Sequence, residues 1–334
     1  MKKMLFVALT AVMVACGTQK NVENASPMEY AETITSSELR DNLTTFSSDE
    51  YEGRNTGEPG QKKAAEFIVN EYKKLGIKAP EGTDGYYQII PTEYFDGKLN
   101  ASENVLGFIE GSEKPEEILV ITSHYDHVGV DDEGNIYNGA DDGGSGPMAI
   151  LEIAEAFMKA KKDGYTPKRS ILFIHLTGEE KGLLGSKYYV ENPVFPLENT
   201  VANLNMDMIG RIDKDHEGND NYVYLIGSDK LSTDLHELSE NVNSKFMNME
   251  LDYTYNDEND PNRFYYRSDH YNFAKNNIPV IFYFNGVHPD YHKPTDTAEK
   301  IEYEALMKRA QLVFLTAWEI ANRDERLVVD KAEE

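Results

Sequence analysis

The stretch Asn138-Gly139-Ala140-Asp141-Asp142-Gly143-Gly144-Ser145-Gly146 sets two carboxylates side by side in a turn made largely of glycine. Adjacent anions repel, and so small a turn offers little to neutralise them. Candidate partners for a cation recur along the chain. His124-Tyr125-Asp126-His127 follows EILVITS, Gly178-Glu179-Glu180 follows ILFIHLT, Asp207 lies near the end of TVANLNMDMIG, and His288 with Tyr291-His292 follows IPVIFYF. Histidine and carboxylate without a thiol suit zinc or a similar divalent ion. Several carboxylates need neutralising, which suggests two ions. If His124, Asp141, Glu180, Asp207 and His292 are the ligands and Asp141 is shared, three carboxylates and a bridging hydroxide balance two dications. The glycines would then let the backbone come close to the ions.

The elements between these residues alternate. SSELRDNLTTF and QKKAAEFIVNEYKKLG have helical spacing, the second ending at Gly76. EILVITS is a short apolar run expected of a strand buried on both faces. A long helix over SGPMAILEIAEAFMKAKKDG, the strand RSILFIHLT, strand candidates TVANLNMDMIG and YVYLIG, a helix near 229–246, the strand IPVIFYF and a helix from about 302 to 324 follow. This order predicts an α/β fold, a largely parallel mixed central sheet with helices on both faces. In such sheets ligands bind beyond the carboxyl ends of the strands, and there the reactive residues fall.

Spacing also suggests roles. His124 and Asp126 are two apart and share a face on a strand, so Asp126 can accept the far ring N–H of His124 and orient it. Glu179 and Glu180 are adjacent, so one can hold metal while the other faces water. His175, inside ILFIHL, reads as a core histidine. His127 reads as structural or as lining the pocket, and His288 as a solvated loop residue. Arg267-Ser268-Asp269-His270 reads as a helix start capped by Ser268. The run DYTYNDENDPNRFYYR reads as the wall of a specificity pocket or as a long acidic surface loop.

The strings SHYDHVG, NGADDGGSG, TGEEKGLLGS, NMDMIG and YHKPTDT, in that order, resemble the co-catalytic dizinc exopeptidases, the bacterial leucyl aminopeptidases and glutamate carboxypeptidases. EGRNTGEPGQKKAAEFI is similar to the usual entry to that domain, and the likeness runs over roughly residues 45–300. It implies a zinc exopeptidase (phosphorylase/hydrolase-like) fold with His124 and Asp207 on one zinc, Glu180 and His292 on the other, and Asp141 bridging. It implies Glu179 as general base, with cobalt or manganese as possible substitutes for zinc, and a cis bond between Asp141 and Asp142. Tyr291, next to a ligand, is a candidate donor to the oxyanion. The activity implied is aminopeptidase. Too short a connection lies between Tyr86 and Asn104 for the insert that large glutamate carboxypeptidases carry. Two alternatives stay open: a glutaminyl cyclase, which shares the fold but uses one zinc, and a non-catalytic peptide-binding protein.

The 334 residues carry a formal charge of −26. This argues against nucleic acid as a partner; the expected substrates, peptides, are those the resemblance implies. MKKMLFVALTAVMVAC has a positive start and a 12-residue apolar stretch too short to span a bilayer. Met13-Val14-Ala15-Cys16 resembles a bacterial lipobox. Residues 1–15 are thus expected to be a lipoprotein signal peptide, 16–33 a flexible tether, and 34–330 one catalytic domain. The protein is expected to be a monomer in the cell envelope, touching membrane only through a lipid on Cys16. Cys16 is the only cysteine, so no internal disulfide is expected.

Overall fold

The computed structural model describes residue 20 and residues 25–331. Its strands are β1 (Tyr87–Ile90), β2 (Ser102–Ile109), β3 (Lys114–His124), β4 (Gly129–Val130), β5 (Ile136–Tyr137), β6 (Arg169–Leu176), β7 (Thr200–Met206), β8 (Tyr222–Ile226), β9 (Glu250–Asp252) and β10 (Val280–Phe284). The helices are α1 (Pro27–Ala31), α2 (Ser36–Phe46), α3 (Pro59–Leu75), α4 (Gly146–Lys162), α5 (Leu184–Glu191), α6 (Thr233–Val242), α7 (His270–Ala274) and α8 (Tyr303–Asn322).

Eight strands form one mixed sheet in the order β1-β2-β6-β3-β7-β10-β8-β9, with β4 and β5 a separate ribbon. The central steps β6–β3, β3–β7 and β7–β10 are parallel, as is β8–β9. The steps β1–β2, β2–β6 and β10–β8 are antiparallel. The fold is therefore the mixed α/β sheet the alternation predicts.

Strand pleat divides the core in two. Leu119 and Ile121 of β3 and Ile171 and Phe173 of β6 join one buried cluster with α2, α3, α4 and α8. Ile118, Val120, Leu172 and Ile174 face the other way, toward Tyr189 of α5 and Phe273 of α7. Both faces are covered, which is why these strands read as unbroken apolar runs. Helix α3 ends where expected, on Gly76 at φ 75°, a left-handed position that glycine takes without strain.

Several elements escape the periodicity, among them the short strands β4, β5 and β9. Strand β2 begins Ser-Glu-Asn, all buried, and β1 and α5 have only four and eight residues. The segment expected as tether is also folded from Pro27 onward. Tyr30 is buried and stacks on Trp318, 5.7 Å between ring centroids, and Ala31 is fully covered. The signal peptide and Cys16 lie outside the described residues. Among the described residues, no helix is long and apolar enough to cross a membrane.

Candidate metal centre

Five segments deliver the centre. His124 ends β3, Glu179 and Glu180 follow β6, Asp207 follows β7, and the loop after β10 brings His288 to His292. The Gly-rich turn Asp141–Ser145 leads into α4. Inside it Asp142 is extended (φ −80°, ψ 104°) and Gly143 takes φ 75°. A Cβ on Gly143 would fall 2.3 Å from the Asp126 carbonyl oxygen, so only glycine fits this approach.

Two donor groups meet at Asp142. His124, Asp142 and Asp207 form one, and His127, Asp142 and Glu180 the other. His124 Nε2 lies 3.0 Å from Asp207 Oδ1 and 3.4 Å from Asp142 Oδ1. On the far side, His292 Nε2 lies 3.1 Å from Asp142 Oδ2 and 3.2 Å from Glu180 Oε2. Ligands about 2.0–2.1 Å from a tetrahedral zinc stand about 3.3 Å from one another. These separations match that edge on both sides, and Asp142 turns one oxygen to each. Its Oδ2 is buried with no hydrogen-bond donor, which a cation would satisfy.

Asp141, expected as the shared ligand, is elsewhere. Its Oδ1 accepts the Gly210 N–H at 2.6 Å, and its Oδ2 faces His288 Nε2 at 3.2 Å. The turn presents the second aspartate to the centre because Asp296 accepts the backbone N–H groups of both Asp141 and Asp142 and fixes the local backbone. The peptide bond between them is trans; the described chain has no cis bond. His288 is not solvated either: it is 3% exposed and packed against Asp141.

His127 lies at the centre, its Nδ1 3.0 Å from Glu180 Oε1. His124, Glu180, Asp207 and His292 converge as the sequence predicts. Asp126 supports His124 mainly through its backbone: the ring Nδ1 is 3.1 Å from the Asp126 carbonyl oxygen but 3.8 Å from the carboxylate. That carboxylate accepts instead from Thr56 Oγ1 and from the Glu179 N–H. Ser268 does not cap α7; its hydroxyl donates to Asp207 Oδ2 at 2.7 Å. His175 is the core histidine expected, 2.8 Å from the Tyr72 hydroxyl. A residue the sequence reading passed over is Arg54, fully buried, which donates to the carbonyls of Tyr125, Asn138 and Gly139. The string EGRNTG was its only signal.

A model of peptidase family M28 matches residues 104–317. A probable leucine aminopeptidase of Arthroderma otae is 29% identical over 293 residues, 86% of this chain and 74% of that protein. Aminopeptidase YwaD of Bacillus subtilis is 28% identical over 256 residues, 75% of this chain and 52% of its own length. Among solved structures, the zinc aminopeptidase BSAP from Bacillus subtilis superposes with a TM-score of 0.67 at 18% identity, covering 90% of this chain and 98% of that one.

The chain belongs to peptidase family M28.

It is thus a hydrolase of peptide bonds, a metallo-exopeptidase, as the ordered motifs imply. The electrostatics of this M28 peptidase fit a metal centre. Burial opposes the charge on Asp142, yet His127, His124 and His292 hold its carboxyl well below the usual range. Burial also opposes charge on His124, while Asp207, Asp126 and Asp142 raise it well above the ordinary imidazole value. The carboxylates therefore draw positive charge into the site, the demand that a divalent ion meets. Glu179 differs from these ligands: burial pushes its carboxyl well up, His124 pulls it down, and Asp207 and Asp269 raise it further.

A cleft opens over the centre. Asp142, Glu179 and Asp207 form its charged end, and Met208, Phe264, Phe282 and Phe284 give it an apolar wall. Tyr291 lines it too, with its ring stacked on His292 at 4.0 Å. The run read as a pocket wall supplies Phe264 and its last residue, Arg267.

Proposed function

We propose that this M28 peptidase is a dizinc aminopeptidase that removes N-terminal residues from peptides. The observation that carries the reading is the placement of Asp142, with one carboxylate oxygen beside His124 and Asp207 and the other beside Glu180 and His292. His124, Asp142 and Asp207 would hold one zinc, and Asp142, Glu180 and His292 the other. When bound, such ions make nearby water more acidic and polarise the scissile carbonyl.

The chain's own groups do the rest. Ser268 fixes Asp207 by its hydrogen bond, and the Asp126 carbonyl holds the His124 ring, so both present fixed donor atoms. His127 donates from Nδ1 to Glu180 Oε1 and leaves Oε2 facing His292. Glu179 lines the cleft and carries no ligand role; it takes the proton from the attacking water and passes it to the leaving amine. Burial keeps the Tyr291 hydroxyl protonated, and as a donor in the cleft it stabilises the oxyanion. The apolar wall takes the side chain of an apolar N-terminal residue.

Names of relatives support the aminopeptidase reading. The alternative cyclase chemistry uses one ion, and the shared Asp142 speaks for two. A peptide binder would not need Glu179 so placed. The N-terminal leader supports attachment through a lipid on Cys16 in the cell envelope. The test is Glu179→Gln on zinc-loaded protein. We expect two metal equivalents retained and turnover of leucine p-nitroanilide cut about 10²–10⁴-fold. Undiminished turnover would remove Glu179 from its role. Cleavage of amino-blocked peptides as fast as free ones would remove the aminopeptidase assignment.

A further inference from the structure

Arg267 is the only lysine or arginine among the residues that line the cleft, in a protein of net charge −26. Its guanidinium sits 4.9 Å from the Phe264 ring centroid. Its Nη2 is 3.5 Å from the Tyr291 hydroxyl, at the outer limit of a hydrogen bond. Other arginines near the centre are committed: Arg211 to Asp290, and Arg54 and Arg309 to backbone carbonyls. No described carboxylate pairs with Arg267. Its planar fork is open to a bidentate anion.

Position decides which part of a peptide it meets. Met208, Phe282 and Phe284 are at most 4% exposed, so the apolar wall is the closed end of the cleft, while Arg267 is exposed at the mouth. An N-terminal residue must occupy the closed end, and the chain beyond the scissile bond must run outward. The Tyr291 hydroxyl, the proposed oxyanion donor, lies 3.5 Å from Arg267 Nη2. The guanidinium is therefore about one extended residue beyond the scissile bond. At the charged end of the cleft, Asp142, Glu179 and Asp207 would repel a second anion.

We infer that Arg267 recognises a carboxylate on the residue just after the scissile bond, supplied by the free C-terminus of a dipeptide or by an acidic side chain there. The inference rests on the aminopeptidase reading and assigns the substrate class of the same site.

The test compares kcat/KM for Leu-Gly, Leu-Gly amide and Leu-Asp amide at one pH and salt concentration. The enzymes are the zinc-loaded wild type, Arg267→Gln and Arg267→Lys. We expect the wild type to prefer at least one carboxylate-bearing substrate over Leu-Gly amide by roughly tenfold or more. Arg267→Gln should bring that ratio close to one, and Arg267→Lys should retain part of it. Preference for Leu-Gly assigns the C-terminus, and preference for Leu-Asp amide assigns the side chain. A wild type that does not discriminate, or a ratio unmoved in Arg267→Gln, overturns the inference. So does a variant that instead alters the choice between glutamyl and leucyl p-nitroanilide, since that places the anion on the N-terminal residue. Turnover of Leu-Gly amide by the wild type tests the aminopeptidase reading by itself, so the two failures are distinguishable.

Discussion

The floor of the metal centre and the wall of the cleft above it are held in different ways. On the floor, His124, Asp142 and Asp207 are each no more than 9% exposed, and each is fixed by a further partner. The Asp126 carbonyl faces His124, Asp296 receives the Asp142 N–H, and Ser268 donates to Asp207. The wall from Tyr253 to Arg267 is built from two 3-10 turns and aromatic contacts such as Tyr255 on Phe264. Its rim is open: Tyr266 is 42% exposed and Val287 41%. Chemistry is thus anchored at the ends of buried parallel strands, and selectivity is assigned to a segment that can vary without disturbing them. His292 stands on the seam, a proposed ligand whose side chain is 38% exposed and whose backbone is left-handed at φ 52°.

The sharpest way to break this contrast is to exchange the two aspartates of the turn. Asp142→Ala should lower bound zinc from two equivalents to one or fewer after dialysis and cut kcat/KM about a thousandfold or more. Asp141→Asn should keep both equivalents, with activity within roughly tenfold of wild type. Metal analysis beside p-nitroanilide kinetics checks both; the reverse pattern would restore Asp141 as the shared ligand. On the wall, Phe264→Ala should change the ratio of leucyl to alanyl p-nitroanilide cleavage by about tenfold. Its zinc content should stay that of the wild type. A loss of metal there would erase the distinction between floor and wall.

The smallest effect belongs to a buried acid in the helical layer, outside both regions. Glu152 of α4 is 3% exposed, and Asn42 donates to one of its oxygens at 3.2 Å. Burial, reinforced by Glu38 and Glu155, raises its pKa from 4.5 to about 8. The folded state therefore holds a proton that the unfolded state releases between these values, so stability falls as pH rises from about 4.5 to 8. Glu152→Gln should flatten that fall, with its advantage in urea unfolding fully present above pH 8. A parallel fall in the variant would assign the pH dependence to other groups.

Strand ends and their chemistry were legible because buried parallel strands write unbroken apolar runs, and the reactive residues follow each run directly. What was hidden was hidden for physical reasons. Asp141 and Asp142 have the same side chain, and the choice between them is made by Asp296, 154 residues from Asp142, through backbone N–H groups. His288 looks like a loop residue until Asp141 is known to turn toward it. Strand β2 was obscured because Asn104 satisfies its polar groups inside the protein, accepting the Thr177 N–H and donating to Gln88 and Gly185. The helix at Pro27 is one turn long, and its burial depends on Trp318 at the other end of the chain.

Arg54 makes the placement of the ligands depend on a segment far from them in the sequence. Its guanidinium ties the loop after β3 to the start of the Gly-rich turn through three main-chain oxygens. The strand end that carries His124 and the turn that carries Asp142 are thus stapled by a residue 71 positions before Tyr125. The candidate ligands thus depend for their fixed placement on that early segment, and a chain lacking it would keep the ligands in its sequence but lose these three ties between the parts that carry them.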